Sequence, residues 1–232
     1  MTGPTISVVL PVLDELCRVG SALAALRAVG DHELVVADGG STDGSLERAR
    51  ELADTVVVEP GGLARQLNRG AAATSGDVLF FPHVDTVLPV SWPQRIRQLL
   101  GEPRVLGGAF RLGLDSPRFT YRLISALANL RTACGVGPFG DQALFVRREA
   151  FEEIGGFRED VLLEDLDLVL RLRRRGRVVV APETVRSSVR RWEHHGLLGC
   201  TLRNWCFLAA YLTRRHGPSR QRAYRRYRTH NH

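Results

Sequence analysis

The side chains best suited to chemistry in this sequence sit where apolar runs stop. Val78–Phe81 is a run of four apolar or aromatic residues; it breaks at Pro82, and His83 and Asp85 follow in a His-x-Asp spacing. A carboxylate there can hold a hard divalent cation, and an imidazole can join it, more readily for a transition metal than for Mg²⁺. Asp14-Glu15 stand at the end of Ile6–Val12, and Asp38 at the end of Glu33–Ala37. Acids at such positions suit a ribose, a base edge or a metal. Glu164-Asp165 precede a leucine-rich stretch. A carboxylate so placed can act as a general base. Two acids in a first helical turn also complement the helix dipole, as Arg171 to Arg175 do at the other end.

For these groups to meet, the runs that carry them must be neighbouring strands. Ile6–Val12, Glu33–Ala37, Thr55–Glu59 and Val78–Phe81 are short and rich in β-branched or aromatic residues, and read as strands. Between them, helical spacing covers Arg18–Val29, a stretch capped by Asp43 or Ser45 that runs to Ala53, and Leu63–Thr74. The last is rich in small residues that allow close packing on a sheet. Strand alternating with helix over residues 6–81 predicts a parallel sheet with helices on both faces and right-handed crossovers. In such sheets ligands collect outside the carboxyl ends of the strands, where the acids stand. Beyond Pro89 the order is less regular. Helices are expected over Ser91–Leu100, Phe119–Arg131, Glu149–Ile154, Leu166–Arg175 and Leu197–Leu212. Strands are expected over Val105–Leu112, Ala143–Val146 and Val178–Ala181, with a glycine-containing loop at Gly135–Asp141 and a basic tail at Arg214–Arg228.

Composition removes several function classes. Apolar residues make up 44% and charged residues 25%, the balance of an ordinary globular protein. All 32 basic residues are arginine. Without lysine there is no P-loop and no Schiff-base chemistry, and arginine cannot serve as a general base. An arginine bias this large also reflects genome composition, so the +7 charge is discounted as a sign of nucleic-acid binding. Cys17, Cys134, Cys200 and Cys206 form no Cys-x-x-Cys pair, which argues against a zinc ribbon and for free thiols in a reducing cytosol. No Gly-x-Gly-x-x-Gly follows the first strand. Met1–Ile6 lacks the marks of a signal peptide, and no apolar run reaches the ~20 residues that span a bilayer.

Taken together, Ile6–Glu15, Val35–Gly44, Asn68–Asp85 and Glu164-Asp165 resemble, in this order, the family-2 glycosyltransferases of the GT-A fold, over roughly residues 5–190. The His-x-Asp at His83–Asp85 and Arg190-Arg191-Trp192-Glu193 are similar to a bacterial subgroup labelled for arsenosugar biosynthesis. The resemblance implies an α/β fold of GT-A type, a Rossmann-like, mostly parallel sheet with helices on both faces and a C-terminal helical extension. The glycosyltransferase domain would be residues 1–190, with a nucleotide-binding half to about 89 and an acceptor half from about 90; residues 191–232 would add the C-terminal helix and basic tail. It also implies roles. Pro11, Glu15 and Asp38 would line the nucleotide pocket, with Asp38 accepting from the base, and Arg65 would sit near the diphosphate. Asp85, with His83, would hold Mn²⁺ or Mg²⁺. Asp165 would be the catalytic base and Glu164 would support it. Asp141 and Gln142 would face donor sugar and acceptor, and Trp192 would stack on one of them.

The expected reaction is inverting transfer of a sugar from a nucleotide-sugar, a UDP-sugar, to the hydroxyl of a small-molecule or lipid acceptor. The expected location is cytoplasmic, with weak contact between an anionic membrane surface and the C-terminal helix and arginine tail, and without nucleic acid as partner. Two departures from the family pattern, His83 for an acid and Gly39 for the second acid of Asp-Asp-Gly-Ser, keep an inactive nucleotide-sugar-binding protein open; a sugar-phosphate nucleotidyltransferase is the other alternative. At single positions, an Asx turn competes for Asp38, a structural hydrogen bond for His83, and a buried core position for Trp192.

Overall fold

The computed structural model describes residues 3–30, 32–213 and 224; the basic tail expected at Arg214–Arg228 lies outside them except for Tyr224. The first half runs β1 (Ile6–Val12), α1 (Leu16–Arg27), β2 (Glu33–Asp38), α2 (Ser45–Leu52), β3 (Thr55–Val58), α3 (Leu63–Ala72) and β4 (Val78–Phe81). The second half runs β5 (Thr86–Val87), α4 (Trp92–Leu99), β6 (Val105–Leu114), α5 (Phe119–Ala133), a 3₁₀ turn at Gly140–Gln142, β7 (Leu144–Arg147), α6 (Arg148–Glu153), α7 (Glu164–Arg173), β8 (Arg177–Ser187), α8 (Arg190–His195) and α9 (Leu197–Leu212).

Among the described residues the strands form one eight-stranded sheet in the order β3-β2-β1-β4-β7-β6-β8-β5. The first four are mutually parallel, as are β6 and β8; β7 runs antiparallel to both its neighbours, and β5 runs antiparallel to β8. Two-residue alternation sorts the side chains of the central strands onto two faces. Val8, Leu10, Leu34, Val36, Val78 and Phe80 point to the face covered by Val19, Leu23 and Leu26 of α1 and by Trp92 and Ile96 of α4. Val9, Ala37, Leu79 and Phe81 point to the other face, covered by Leu67 and Ala71 of α3, Phe151 of α6 and Leu168 and Leu172 of α7. Phe80 stacks on Trp92 with ring centroids 4.5 Å apart, fully buried. Burying one such side chain contributes roughly 1.5–3 kcal/mol.

The last long strand is longer than its apolar core predicts. Pairing of β6 with β8 slips between Ala109 and Arg111, opposite the stretch from Val180 to Thr184 that contains Pro182. A proline has no N–H for the ladder, and an irregularity is where a strand can accept one. The two-residue β5 was not foreseen either; Val84 and Leu88 around it only brush the core.

Polar side chains brace the loops. The Asn68 amide donates to the Phe157 carbonyl and accepts from the Phe157 N–H, both at 2.8 Å, tying α3 to the turn after α6. Arg171 of α7 donates to the Ile154 and Gly156 carbonyls at 2.7 Å in the same turn and pairs with Asp167 at 2.6 Å. Asp167 also accepts from the Tyr211 hydroxyl of α9 at 3.1 Å; burial and that carboxylate push the Tyr211 phenol up to about 12. Gln142 is fully buried. Its Nε2 donates to the Phe110 carbonyl at 2.9 Å, and its Oε1 accepts from the Thr132 hydroxyl at 3.2 Å and the Phe139 N–H at 3.3 Å.

Two substitutions test this packing. On Gly70 a Cβ would stand 2.4 Å from Val9 Cγ1 and 3.2 Å from Ala37 Cβ, so Gly70→Ala is expected to lower stability by about 1–3 kcal/mol in chemical denaturation. Gln142→Leu keeps the volume but leaves buried polar groups unpaired, at a cost of about 1–3 kcal/mol for each group so stranded, read by the same assay.

Candidate active site

The direction of strand order reverses beside β1: β2 and β3 lie to one side and β4 to the other. This is the switch point at which open α/β sheets leave a crevice beyond the strand ends. Pairing of β1 with β4 covers only Ile6–Val8, so Pro11, further along β1, faces the opening without costing a ladder bond on that side. A cavity of about 370 Å³ fills the crevice, within the usual size of small-ligand sites. Pro11, Val12, Leu13 and Gly39 form one wall and the start of α3, with Gly61, Gly62, Arg65 and Gln66, another; His83, Glu164 and Tyr224 also line it. Gly61 (φ 120°) and Gly62 (φ 116°) adopt backbone angles open mainly to glycine. They open α3 with no side chain over its first N–H groups, the positive end of the helix dipole.

Gln66 is a functional neighbour that sequence reasoning missed. Its buried amide donates to the carbonyls of Val12 at 3.1 Å and Ala37 at 3.0 Å, clamping the ends of β1 and β2. A Cβ on Gly39 would lie 2.8 Å from that amide nitrogen. The departure from the family pattern at Gly39 therefore makes room for the clamp.

On the far side of the crevice stands the helix-opening acid pair. Asp165 Oδ2 accepts from the Gly140 N–H at 2.7 Å, and its Oδ1 from the Leu166 N–H at 2.8 Å. A Cβ placed on Gly140 would meet Asp165 Oδ2 at 3.1 Å and His83 Nε2 at 3.2 Å. The β4 end and the α7 start, 82 positions apart in sequence, thus point at one spot. Leu163 enters α7 in the left-handed region (φ 55°), as do Ala143 after the 3₁₀ turn (φ 50°) and Asp14 after β1 (φ 51°). Non-glycine residues held there cost about 1–3 kcal/mol each and cluster at functional sites.

A chain of charge joins the other strand ends. Arg190 lies 3.3 Å from Glu15 Oε1 and 3.9 Å from Asp85 Oδ2. Arg18 holds the second Glu15 oxygen at 3.0 Å. Arg131, also missed, is a largely buried guanidinium 3.9 Å above the Phe139 ring. Burial pushes it below its usual range, and the nearby Asp141 and Asp165 carboxylates oppose that shift. Its signal in the sequence is a lone charge at the end of an apolar helix, easily taken for a helix terminator.

Several of the expected site residues already have partners within the chain. Asp38 is fully buried, and its oxygens accept from the Gly40 N–H, the Ser41 N–H and the Ser41 hydroxyl at 2.6–2.8 Å. It builds the loop in the manner of an Asx turn, and Gly39 presents the loop to the cavity. Glu15 is buried under two arginines. Gln142 faces the core, since all its described bonds are internal. Trp192 is buried with Leu114, Tyr121 and Val189, and the space that it lines is a different one, shared with Arg118, Thr120 and Glu193. Arg65 does line the cavity, paired with Glu59 at 3.6 Å and Glu159 at 3.3 Å. Among the described residues no three His, Cys, Asp or Glu side chains cluster as a metal cage. Asp85 with His83 would supply two protein ligands, a number that suits a hard cation whose remaining oxygens come from substrate and water.

Comparison with known proteins now adds to the geometry. The model of the glycosyl transferase family 2 matches residues 7–155. A glucosyl-3-phosphoglycerate synthase of Mycobacterium tuberculosis is 38% identical over 99 residues, covering 38% of this chain and 31% of that one. A beta-monoglucosyldiacylglycerol synthase of Synechocystis is 24% identical over 183 residues, 67% of this chain and 36% of that one. The aligned region thus spans about a third of these curated relatives. Among solved structures, a mannosyltransferase of Pyrobaculum calidifontis in complex with GDP-Man and Mn²⁺ superimposes with TM-score 0.66 at 21% identity, over 86% of this chain and 63% of that one. The M. tuberculosis synthase with Mn²⁺, UDP and phosphoglyceric acid gives 0.57 at 25%, over 78% and 69%. The sheet, its switch-point crevice and the family match over most of the chain agree: this chain belongs to glycosyl transferase family 2.

Proposed function

We propose that the chain moves a glycosyl group from a nucleotide-sugar, a UDP-sugar, to an acceptor hydroxyl with inversion at the anomeric carbon. The observation that carries this reading is the convergence of Asp165 Oδ2 and His83 Nε2 beside Gly140, at the edge of the switch-point cavity. A single displacement needs a carboxylate on the face opposite the leaving group. Asp165 takes the acceptor O–H proton as the new C–O bond forms and the sugar–phosphate bond breaks, its electron pair leaving with the nucleoside diphosphate. The hydrogen bonds from Gly140 and Leu166 fix the direction of that carboxylate. Glu164, one residue earlier and lining the cavity, supports the acceptor side.

Asp85 and His83 would hold a divalent cation, Mn²⁺ or Mg²⁺, in line with the Mn²⁺ in the structures of related proteins. Such a cation, when bound, offsets charge building on the leaving diphosphate. The glycine-led start of α3 and Arg65 supply further positive potential on that side. The similarity to glucosyl-3-phosphoglycerate synthases supports UDP as the leaving group. The narrower likeness to the arsenosugar-labelled subgroup rests on His83-x-Asp85 and the Arg190 segment, whose members meet where Arg190 approaches Asp85.

In Asp165→Asn, UDP with Mn²⁺ is expected to raise Tm as in the wild type, while transfer, or slow hydrolysis of UDP-sugar, falls by about 10²–10⁴-fold. Retained turnover removes Asp165 as base. Gly140→Ala pushes a methyl between Asp165 and His83, and is expected to cost about 10²-fold in turnover through misplacement of the base, with Tm nearly unchanged.

A further inference from the structure

Six of the eleven large apolar side chains that remain exposed among the described residues lie on two helices. On α5 they are Phe119 (74% exposed), Leu123 (49%), Leu127 (51%) and Leu130 (60%), a stripe at helical spacing. On α9 they are Leu202 (67%) and Trp205 (53%). The helices share one apolar cluster, in which Tyr121 and Ile124 of α5 and Phe207 of α9 pack around Trp192. Elsewhere the exposed apolar residues are scattered valines and one leucine, which need no explanation.

Charge selects the occupant of this face. There is no acidic residue between Asp115 and Asp141, and none after Glu193. Arginines accompany the stripes: Arg118 and Arg122 are exposed beside Phe119 and Leu123, and Arg203 adjoins Leu202. The sequence beyond α9 adds seven more, from Arg214 to Arg228. A second copy of the chain docked symmetrically on this face would bring these arginines toward their own images; neither helix carries an acid to pair them, and Glu193 of α8, beside Arg118, is outnumbered. An anionic bilayer meets both demands, taking the apolar side chains at the acyl boundary and the guanidinium groups among lipid phosphates.

We propose that the α5–α9 face is a peripheral docking surface for an anionic lipid bilayer. No helix among the described residues is long and apolar enough to cross a membrane, so the contact is interfacial. Helix α5 leads in sequence through residues 134–139 into the turn that carries Gly140 and Asp141, which links this face to the cleft.

The test is co-sedimentation of the full chain with vesicles of phosphatidylcholine alone or mixed with phosphatidylglycerol. Binding is expected only with the mixed vesicles, weakening as salt is raised. Leu123→Gln/Leu127→Gln is expected to lower partitioning about tenfold or more, and Arg118→Gln/Arg122→Gln about fivefold per arginine at low salt; both pairs are exposed, and unchanged Tm verifies the fold. Absence of binding, equal binding to neutral vesicles, or full binding by the leucine variant overturns the proposal. So does a concentration-dependent dimer that the leucine variant dissolves, since it would put a second copy on the face.

Discussion

The proposed chemistry depends on one backbone amide. The Gly140 N–H grips Asp165, and the missing side chain at 140 leaves His83 and Asp165 facing the same small space. Everything nearby serves that contact. The 3₁₀ turn that presents Gly140 is pinned from below by the buried amide of Gln142. Asp165 itself is set by Leu163, which enters α7 at an unfavourable backbone angle while its side chain is buried. The cost of that angle is spread over the packing of Leu162, Leu163 and Leu166 against α9.

A second constraint is electrostatic. Arg190 bridges Glu15 at the end of β1 and Asp85 beyond β4, so the start of α8 is tethered over the strand ends. Glu15 is almost fully buried, and a buried carboxylate stripped of its cation is costly, on the order of 3–5 kcal/mol. The tether therefore belongs to the stability of the fold as much as to the site. Its position beside Asp85 also means that this carboxylate is not an isolated negative charge.

Much of this was legible in the sequence, and the failures have physical causes. The alternation of Ile6–Val12 with α1 and of Val78–Phe81 with α3 announced the parallel half, because strands buried on both faces leave continuous apolar runs. Strand β8 was cut short, since Pro182 looks like a stop until a partner strand supplies an irregularity to hold it. Acids were visible, but their direction was not. Asp38 and Asp165 are both carboxylates after an apolar run or before a helix; one turns inward onto its own loop and the other toward the cleft. That choice depends on Ser41 in one case and on Gly140, 25 positions away, in the other. Gln66 escaped because its partners, Val12 and Ala37, are remote in the chain, and the Arg190 segment was visible without its pairing to Glu15 and Asp85.

The brace formed by Asn68 and Arg171 carries a mechanical corollary. Both side chains grip the turn after α6, one from α3, which walls the cavity, and the other from α7, which opens on Glu164 and Asp165. The two jaws of the cleft are thereby riveted to a common block and cannot hinge against each other without breaking these bonds. Arg158, Glu159 and Val161 line the cavity from the short connection ahead of α7, a stretch whose side chains can change without loosening the jaws.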